Sequence, residues 1–161
     1  MVIRKAISED LPNVVNFWNS LAGKLDSIWR FAPIVTVADI QKHIENNYVV
    51  YLAIDDVLVG FGMWHQGYML GIAANNRDIY WKIGNVWAKE NITAIGTVRF
   101  PNILCKEITW LEELGVQLNK TPESYKPLKP GEDIANRKVW TYMVSVDLKE
   151  VSEALDRFYG E

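Results

Sequence analysis

The stretch VWAKENITAIGTVRFPNILCKEITWLEELGV, residues 86–116, decides the fold, because it predicts the end of a strand, a polar connection and then an amphipathic helix. Leu104, Ile108 and Leu111 recur at helical spacing and give that helix one apolar face. Gly115 predicts its end, since glycine readily adopts the left-handed cap conformation. Unpaired N–H groups at a helix start attract phosphate, so the beginning of this helix is a candidate anion site.

The composition is that of a folded protein with mixed charge. With 161 residues, 49% of them hydrophobic and 23% charged, the chain predicts one domain, 1–161, with a substantial core. Seventeen basic and twenty acidic residues give no support for a nucleic-acid partner. No apolar run approaches the roughly 20 residues that span a bilayer, and the first ten residues become polar too early for a secretory signal. Together with a single cysteine, these features predict a cytoplasmic protein that does not act at a membrane.

The other elements follow from the spacing of apolar residues and from turn-forming residues. In chain order they are a strand at 2–6, helices from 8 to about 21 and from 36 or 37 to 46–47, strands at 48–54 and 57–64 joined by a tight turn, a loop at 66–77, a strand at 78–88, the helix described above, a strand at 139–146 and a helix at 147–158. Three prolines within 117–138 exclude a long helix there. The order of elements predicts an α+β domain.

This order of elements resembles that of the GNAT superfamily of acyl-CoA-dependent N-acyltransferases. Four segments of the sequence are also similar to segments of that family. IRKAISEDLPNVVNFW (3–18) is similar to the family's opening strand and first helix, and YLAIDDVLVGFGMW (51–64) to its second and third strands. KEITWLEELGV (106–116) resembles the back half of its central helix, and TYMVSVDL (141–148) its closing strand. The resemblance implies a GNAT-like mixed, mainly antiparallel twisted sheet flanked by helices, with an additional short C-terminal helix.

The resemblance also implies a function. Members of the family transfer an acetyl or other short acyl group to an amine, so acetyl-CoA or another acyl-CoA is the implied co-substrate and a small-molecule or protein amine the implied acceptor. Residues 24–36 and 66–77 would form much of the acceptor site. Where the family's fourth and fifth strands separate, pantetheine pairs with the open edge of the fourth. Backbone groups of Val86, Trp87 and Ala88 are the ones expected there.

The family binds the cofactor's pyrophosphate with a loop of the form Q/R-x-x-G-x-G/A, and no register of this chain restores that pattern. In one interpretation, Gly96 and Thr97 leave backbone donors accessible while Arg99 pairs with a phosphate. In another, the alternating residues of 92–100 form a plain strand. The sequence leaves both open. It thereby leaves open an alternative function, a non-catalytic GNAT-like binding or assembly module without the pyrophosphate cradle.

Two residues fall where the family places its proton carriers. Glu90 would be the general base, and Tyr125 the acid that protonates the leaving thiolate; the competing interpretation is a solvated turn residue and a packed ring. His65 is a further candidate base, although a lone histidine is more often structural. Two widely separated histidines and one cysteine predict no metal site. The apolar final strand and the last helix could form a homodimer contact.

Overall fold

The computed structural model describes residues 1–21, 36–101, 105–121 and 143–160. The strands are β1 (Val2–Lys5), β2 (Val49–Asp55), β3 (Val57–His65), β4 (Tyr68–Ala74), β5 (Thr97–Pro101), β6 (Asn119–Thr121) and β7 (Met143–Asp147). The helices are a 3₁₀ helix (Ser8–Asp10) followed by α1 (Leu11–Leu21), α2 (Val37–Glu45), α3 (Arg77–Asn91), α4 (Cys105–Glu113) and α5 (Leu148–Tyr159).

The strands form one sheet in the order β1-β2-β3-β4-β5-β7-β6. Every neighbouring pair is antiparallel except β4 and β5, which are parallel. Side chains of α1 and α2 pack on one face of this sheet, which we call the α1/α2 face. Side chains of α3, α4 and α5 pack on the other, which we call the α3 face. The predicted α+β fold, a mainly antiparallel sheet flanked by helices with an additional C-terminal helix, is confirmed.

The first half of the chain follows its local signals. The Thr36 hydroxyl accepts a hydrogen bond from the Asp39 N–H, and the Asp39 carboxylate accepts one from the Thr36 N–H, so α2 begins at a capping box. Asp55 pairs with Val57 around Asp56, whose φ of 61° lies in the left-handed region that aspartate tolerates. The predicted second helix and the β2–β3 hairpin are confirmed.

The prediction of a loop over 66–77 is wrong, because most of that stretch is β4. His65 pairs with Tyr68 across a two-residue turn, in which Gln66 has a φ of 52°. The register then slips between Met63 and Trp64 on β3, which pair with Gly71 and Met69. The slip leaves one extra residue in β4, so the strand carries a bulge.

The prediction of a strand over 78–88 is also wrong, because those residues form most of α3. The Asn76 side chain accepts a hydrogen bond from the Ile79 N–H at 2.9 Å and starts the helix. Val86, Trp87 and Ala88 therefore lie inside a helix, where their N–H groups bond to carbonyls four residues earlier rather than forming an open strand edge. The helix after the fourth strand is α3, and the helix at 105–113 is the next one along the chain.

Of the two interpretations of 92–100, the structure shows a strand over its last part. Thr97 to Pro101 form β5 and pair with β7, while Gly96, with a φ of 80°, turns the chain out of α3. Thr97 and Arg99 thus lie within the ladder and not in a loop, and the role of Gly96, Thr97 and Arg99 in phosphate binding stays a prediction.

Helix α5 belongs to the core of the domain. Asp147 caps it, accepting a hydrogen bond from the Glu150 N–H at 2.9 Å, and the Leu148 N–H donates to the Gly96 carbonyl at 2.9 Å. Its apolar face is buried on the α3 face of the sheet by Leu148, Val151, Ala154 and Leu155. That face is therefore used within the chain, and the predicted homodimer stays a prediction.

Candidate functional site

Strands β4 and β5 pair at one position only, and beyond it neither strand pairs with the other within the described residues. Tyr68 pairs with Arg99, whose N–H donates to the Gly67 carbonyl at 2.7 Å. From Met69 to Ala74, β4 has no partner residue in the described part of β5. We call this gap the fork; its closed end is the Tyr68–Arg99 pair. The predicted separation of the fourth and fifth strands is confirmed, but it lies on β4 and not at residues 86–88.

Side chains fill the α3 face of the fork and leave a cavity of about 40 Å³. Tyr80, which lines this cavity, has a fully buried hydroxyl with no hydrogen-bond partner among the described residues. Burial, and secondarily the charge of Glu107, raise the pKa of Tyr80, so its hydroxyl keeps its proton. Buried polar groups are nearly always hydrogen-bonded, so this hydroxyl is available to a group that enters the cavity.

A buried carboxylate joins α3 to α4 beside this cavity. Glu107 of α4 is 7% exposed and accepts hydrogen bonds from Trp81 Nε1 at 2.7 Å and from Arg77 Nη2 at 3.1 Å. The Trp81 ring stacks on Trp110 with centroids 5.4 Å apart, and the Arg77 guanidinium lies 5.3 Å from the Trp110 ring centroid. These contacts close the space between α4 and the first turns of α3.

The last turn of α5 adds to this closure. The Tyr159 hydroxyl donates to Asp78 Oδ1 at 3.1 Å, and the Phe158 ring packs edge-on against Trp110 at 5.1 Å. Burial, followed by the contact with Asp78, raises the pKa of Tyr159. Helix α5 therefore runs antiparallel to α3, with Leu148 near Gly96 and Tyr159 near Asp78.

The start of α3, at the open end of the fork, differs from a glycine-rich phosphate cradle. Only Asn75 and Asn76 separate β4 from α3, and the Asn76 side chain already accepts from the Ile79 N–H. The Asn75 N–H donates to the Val59 carbonyl at 3.0 Å. Asp78 places a carboxylate in the first turn, which stabilises the helix but repels an anionic ligand. The start of α3 therefore has a side-chain cap and an acidic first turn where a glycine-rich cradle would have open main-chain donors.

The structure scatters the residues that the sequence singled out. Glu90, in the last turn of α3, accepts a hydrogen bond from the Tyr51 hydroxyl and does not line the fork cavity. Burial, and then this contact, raise the pKa of Tyr51. Arg99 lies at the closed end of the fork. Tyr125, like residues 24–35 of the expected acceptor site, lies outside the described residues, so the roles of these groups stay predictions.

Sequence reasoning missed a line of polar and aromatic side chains on the α1/α2 face. The sheet register pairs His65 with Tyr68, Tyr68 with Arg99 and Arg99 with Ser145 across four neighbouring strands. Tyr48, just before β2, extends the line, with its ring 4.9 Å from that of His65. We call these five residues the polar row. Only the turn at 66–67 could have indicated part of it, by aligning His65 with Tyr68.

Two absences hold for the residues that the structure describes. In these parts of the chain no three His, Cys, Asp or Glu side chains are grouped so that they could hold a metal ion. None of the helices described above combines the length and hydropathy that a membrane span requires.

Comparisons with known proteins identify the fold. No family model matches the chain, and no curated protein matches its sequence. The structure of smu.2055 from Streptococcus mutans UA159 is similar at a TM-score of 0.66 and 18% identity, covering 92% of this chain and 99% of that one. A ribosomal-protein-alanine N-acetyltransferase from Brucella melitensis is similar at a TM-score of 0.61 and 15% identity, covering 91% and 98%. The structure of yncA from Salmonella typhimurium with its cofactor acetyl-CoA is similar at 0.57 and 14%, covering 91% and 93%.

At these identities the likeness concerns the fold. The chain has the GNAT fold, as the sequence resemblance implied.

Proposed function

We propose that this protein is an N-acyltransferase that takes an acetyl or other short acyl group from an acyl-CoA and passes it to an amine. The fork carries the proposal. Beyond the Tyr68–Arg99 pair, β4 presents main-chain groups that have no strand partner in β5, and such groups require another hydrogen-bonding partner. The amide-containing arm of an acyl-CoA is a partner of that kind. The GNAT fold of the chain supports this assignment, since yncA shares it and was solved with acetyl-CoA.

The residues around the fork suggest how the chain would hold the reactants. An acyl-CoA supplies an acyl group on a thioester carbon. Main-chain groups between Met69 and Ala74 would bind its arm, and the unpartnered Tyr80 hydroxyl would donate a hydrogen bond to it. A hydroxyl that keeps its proton is suited to donation and not to nucleophilic attack.

Acyl transfer requires that one proton leaves the acceptor and that another reaches the sulfur. The acceptor nitrogen must lose a proton as its bond to the acyl carbon forms, and the sulfur must gain one as the carbon–sulfur bond breaks. Glu90 is hydrogen-bonded to Tyr51 and lies outside the fork lining, whereas His65 lies next to the closed end, paired with Tyr68. We therefore propose His65 as the base in place of Glu90.

The test is a binding measurement followed by turnover. Acetyl-CoA and longer acyl-CoAs at 100 times their dissociation constant would stabilise the protein by about 2.7 kcal/mol. Tyr80→Phe removes the hydroxyl in the fork, and we expect it to weaken acyl-CoA binding about tenfold. Tyr51→Phe is the matched control, because its hydroxyl contacts Glu90 outside the fork cavity. Absence of any stabilisation at millimolar acyl-CoA would overturn the proposal.

A second candidate is a non-catalytic binding or assembly module with the same fold. The start of α3 favours it, because Asn75 and Asn76 replace a glycine-rich loop and Asp78 disfavours phosphate. Replacing Asn75 and Asp78 together by glycine opens the main chain and removes the carboxylate. Acyl-CoA binding by this double variant but not by the natural chain would identify a scaffold that has lost its cradle.

A further inference from the structure

We propose that the polar row binds the carboxylate of the acceptor, so that the acceptor is an amine that also carries a carboxylate, such as a free amino acid. This inference rests on the proposed function in one respect, because the bound amine is an acceptor only if the protein transfers an acyl group. The binding site itself rests on the row alone.

The sheet register places the row on one face. Residues directly paired in neighbouring strands point to the same side, so His65, Tyr68, Arg99 and Ser145 share a face. Tyr68 and Tyr48 pack against the core cluster of α1 and α2, which identifies it as the α1/α2 face. With strands about 4.8 Å apart, His65 and Arg99 stand roughly 10 Å from each other. A small amino acid fits over that span.

The charge of the row favours an anion. The Arg99 side chain is exposed and has no ion-pair partner among the described residues, whereas Arg4 and Arg77 are paired with Asp10 and Glu107. A guanidinium matches a carboxylate with two parallel hydrogen bonds.

The row itself contains no carboxylate. Asp147, which pairs with Thr97 two residues along the same face, already accepts the capping hydrogen bond from the Glu150 N–H. The Asp147 carboxylate is thus engaged by the start of α5, and no ion pair joins it to Arg99 in the described part of the chain.

The row also contains two aromatic rings in contact with each other. The rings of Tyr48 and His65 have centroids 4.9 Å apart and planes inclined by 33°, and the His43 ring packs edge-on against Tyr48. Tyr48 and His65 are half-buried, so they offer ring area without closing over the row. A side chain with some apolar surface would lie against them while its carboxylate reaches Arg99.

The row lies at the reactive end of the fork. Helix α3 begins beyond the far end of β4, roughly 20 Å from Tyr68 for an extended strand of this length. An arm laid along β4 from that end would finish near the Tyr68–Arg99 pair. An amine held by its carboxylate at Arg99 would therefore stand beside the acyl group, next to His65.

The experiment measures binding to the protein without any acyl-CoA. Calorimetric or NMR titrations compare phenylalanine, leucine and glycine with phenethylamine, 3-methylbutylamine and methylamine, which lack the carboxylate, and with 1,4-diaminobutane. We expect at least one amino acid to bind about tenfold or more tightly than its matching amine, and the diamine not to bind.

Two variants locate the interaction. Arg99→Gln should remove the preference for the carboxylate, while Arg157→Gln, an exposed arginine on α5, should leave it intact. Both positions are exposed, so both variants should melt like the natural chain. Equal binding of amino acids and amines, no binding of any amino acid, or an equal effect of the two variants would overturn the inference.

The outcomes separate this site from the proposed function. Carboxylate-dependent binding at Arg99 without any acyl-CoA binding would refute the acyltransferase and leave the site standing. Acyl transfer to amines with no preference for a carboxylate would establish the enzyme and refute the site.

Discussion

The indole of Trp64 in β3 lies flat against the indole of Trp87 in α3, with ring centroids 4.9 Å apart and planes inclined by 6°. Gly62 makes room for this pair, because a Cβ built there would lie 2.5 Å from Trp64 Cη2. The stack joins the sheet to the helix that borders the fork, and the neighbouring glycine is required for it.

Gly62→Ala should therefore destabilise the protein by about 1–3 kcal/mol, since the added methyl group has to displace a buried ring. Gly84→Ala is the matched control, because the nearest atom to a Cβ there is 3.7 Å away and the residue lies in the middle of α3. Because alanine is favoured over glycine in a helix interior, Gly84→Ala should raise the free energy of unfolding by about 0.5–1 kcal/mol. Urea unfolding of the two variants checks this, and a similar effect of both would contradict the packing described.

Glu107→Leu should lower the free energy of unfolding by about 1–3 kcal/mol, because it leaves the buried Trp81 N–H without an acceptor and Arg77 without its carboxylate. Glu107→Gln keeps an acceptor for Trp81 and should cost less. Glu112→Leu on the exposed side of α4 is the control, expected within about 0.5 kcal/mol of the natural chain. If Leu and Gln at 107 proved equally harmless, the bridge between α3 and α4 would not hold them together.

Asp147→Ala should cost about 1 kcal/mol, because it removes the oxygen that accepts the Glu150 N–H at the start of α5. Glu153→Ala, an exposed position within the same helix, should change the unfolding free energy by less than about 0.5 kcal/mol. Thermal unfolding followed by circular dichroism compares the two. Equal midpoints for both variants would show that the cap does not stabilise the helix.

The Asp156 carboxylate gives a pH dependence of known sign. Its hydrogen bond with Lys89, whose Nζ lies 2.9 Å from Oδ1, holds the pKa of Asp156 below its usual range, and the Asn85 amide adds to the effect. A lowered pKa in the folded state means that the contribution is present above the unfolded value of about 3.9 and is lost as the pH falls through the folded value.

Asp156→Asn should therefore cost roughly 0.2–1 kcal/mol at neutral pH, the range of partly exposed ion pairs, and progressively less at an acidic pH that approaches the folded-state pKa of Asp156. Urea unfolding of both proteins at the two pH values measures the difference. A cost that stays constant with pH would assign it to packing and not to charge.

The contrast between β2–β3 and α3 shows what the sequence could predict. Residues 48–64 carry alternating apolar positions around an Asp-Asp turn, so local chemistry alone determines the hairpin. Residues 78–88 are rich in aromatic and β-branched side chains, which favoured a strand. Their buried members, Tyr80, Ile83 and Trp87, recur at helical spacing, and that period was the better guide.

Predicting a strand where the chain forms α3 moves the predicted cofactor site along the chain. A strand over 78–88 places the predicted phosphate cradle near Gly96, whereas the fourth strand meets its helix at Asn75 and Asn76. The extension of the polar row from Tyr68 to Arg99 could not be predicted, because these two residues meet only through a parallel pairing between segments distant in the chain. Long-range register of this kind leaves no local signature.

The position of α5 has a consequence for synthesis on the ribosome. Residues 148–155 supply four of the side chains that seal the α3 face, so that face stays open until these residues have been translated. At a translation rate of about 5–20 residues per second, the earlier helices and strands expose that face to water for several seconds. A nascent chain of this protein therefore exposes the apolar side chains of the α3 face until α5 has left the ribosome.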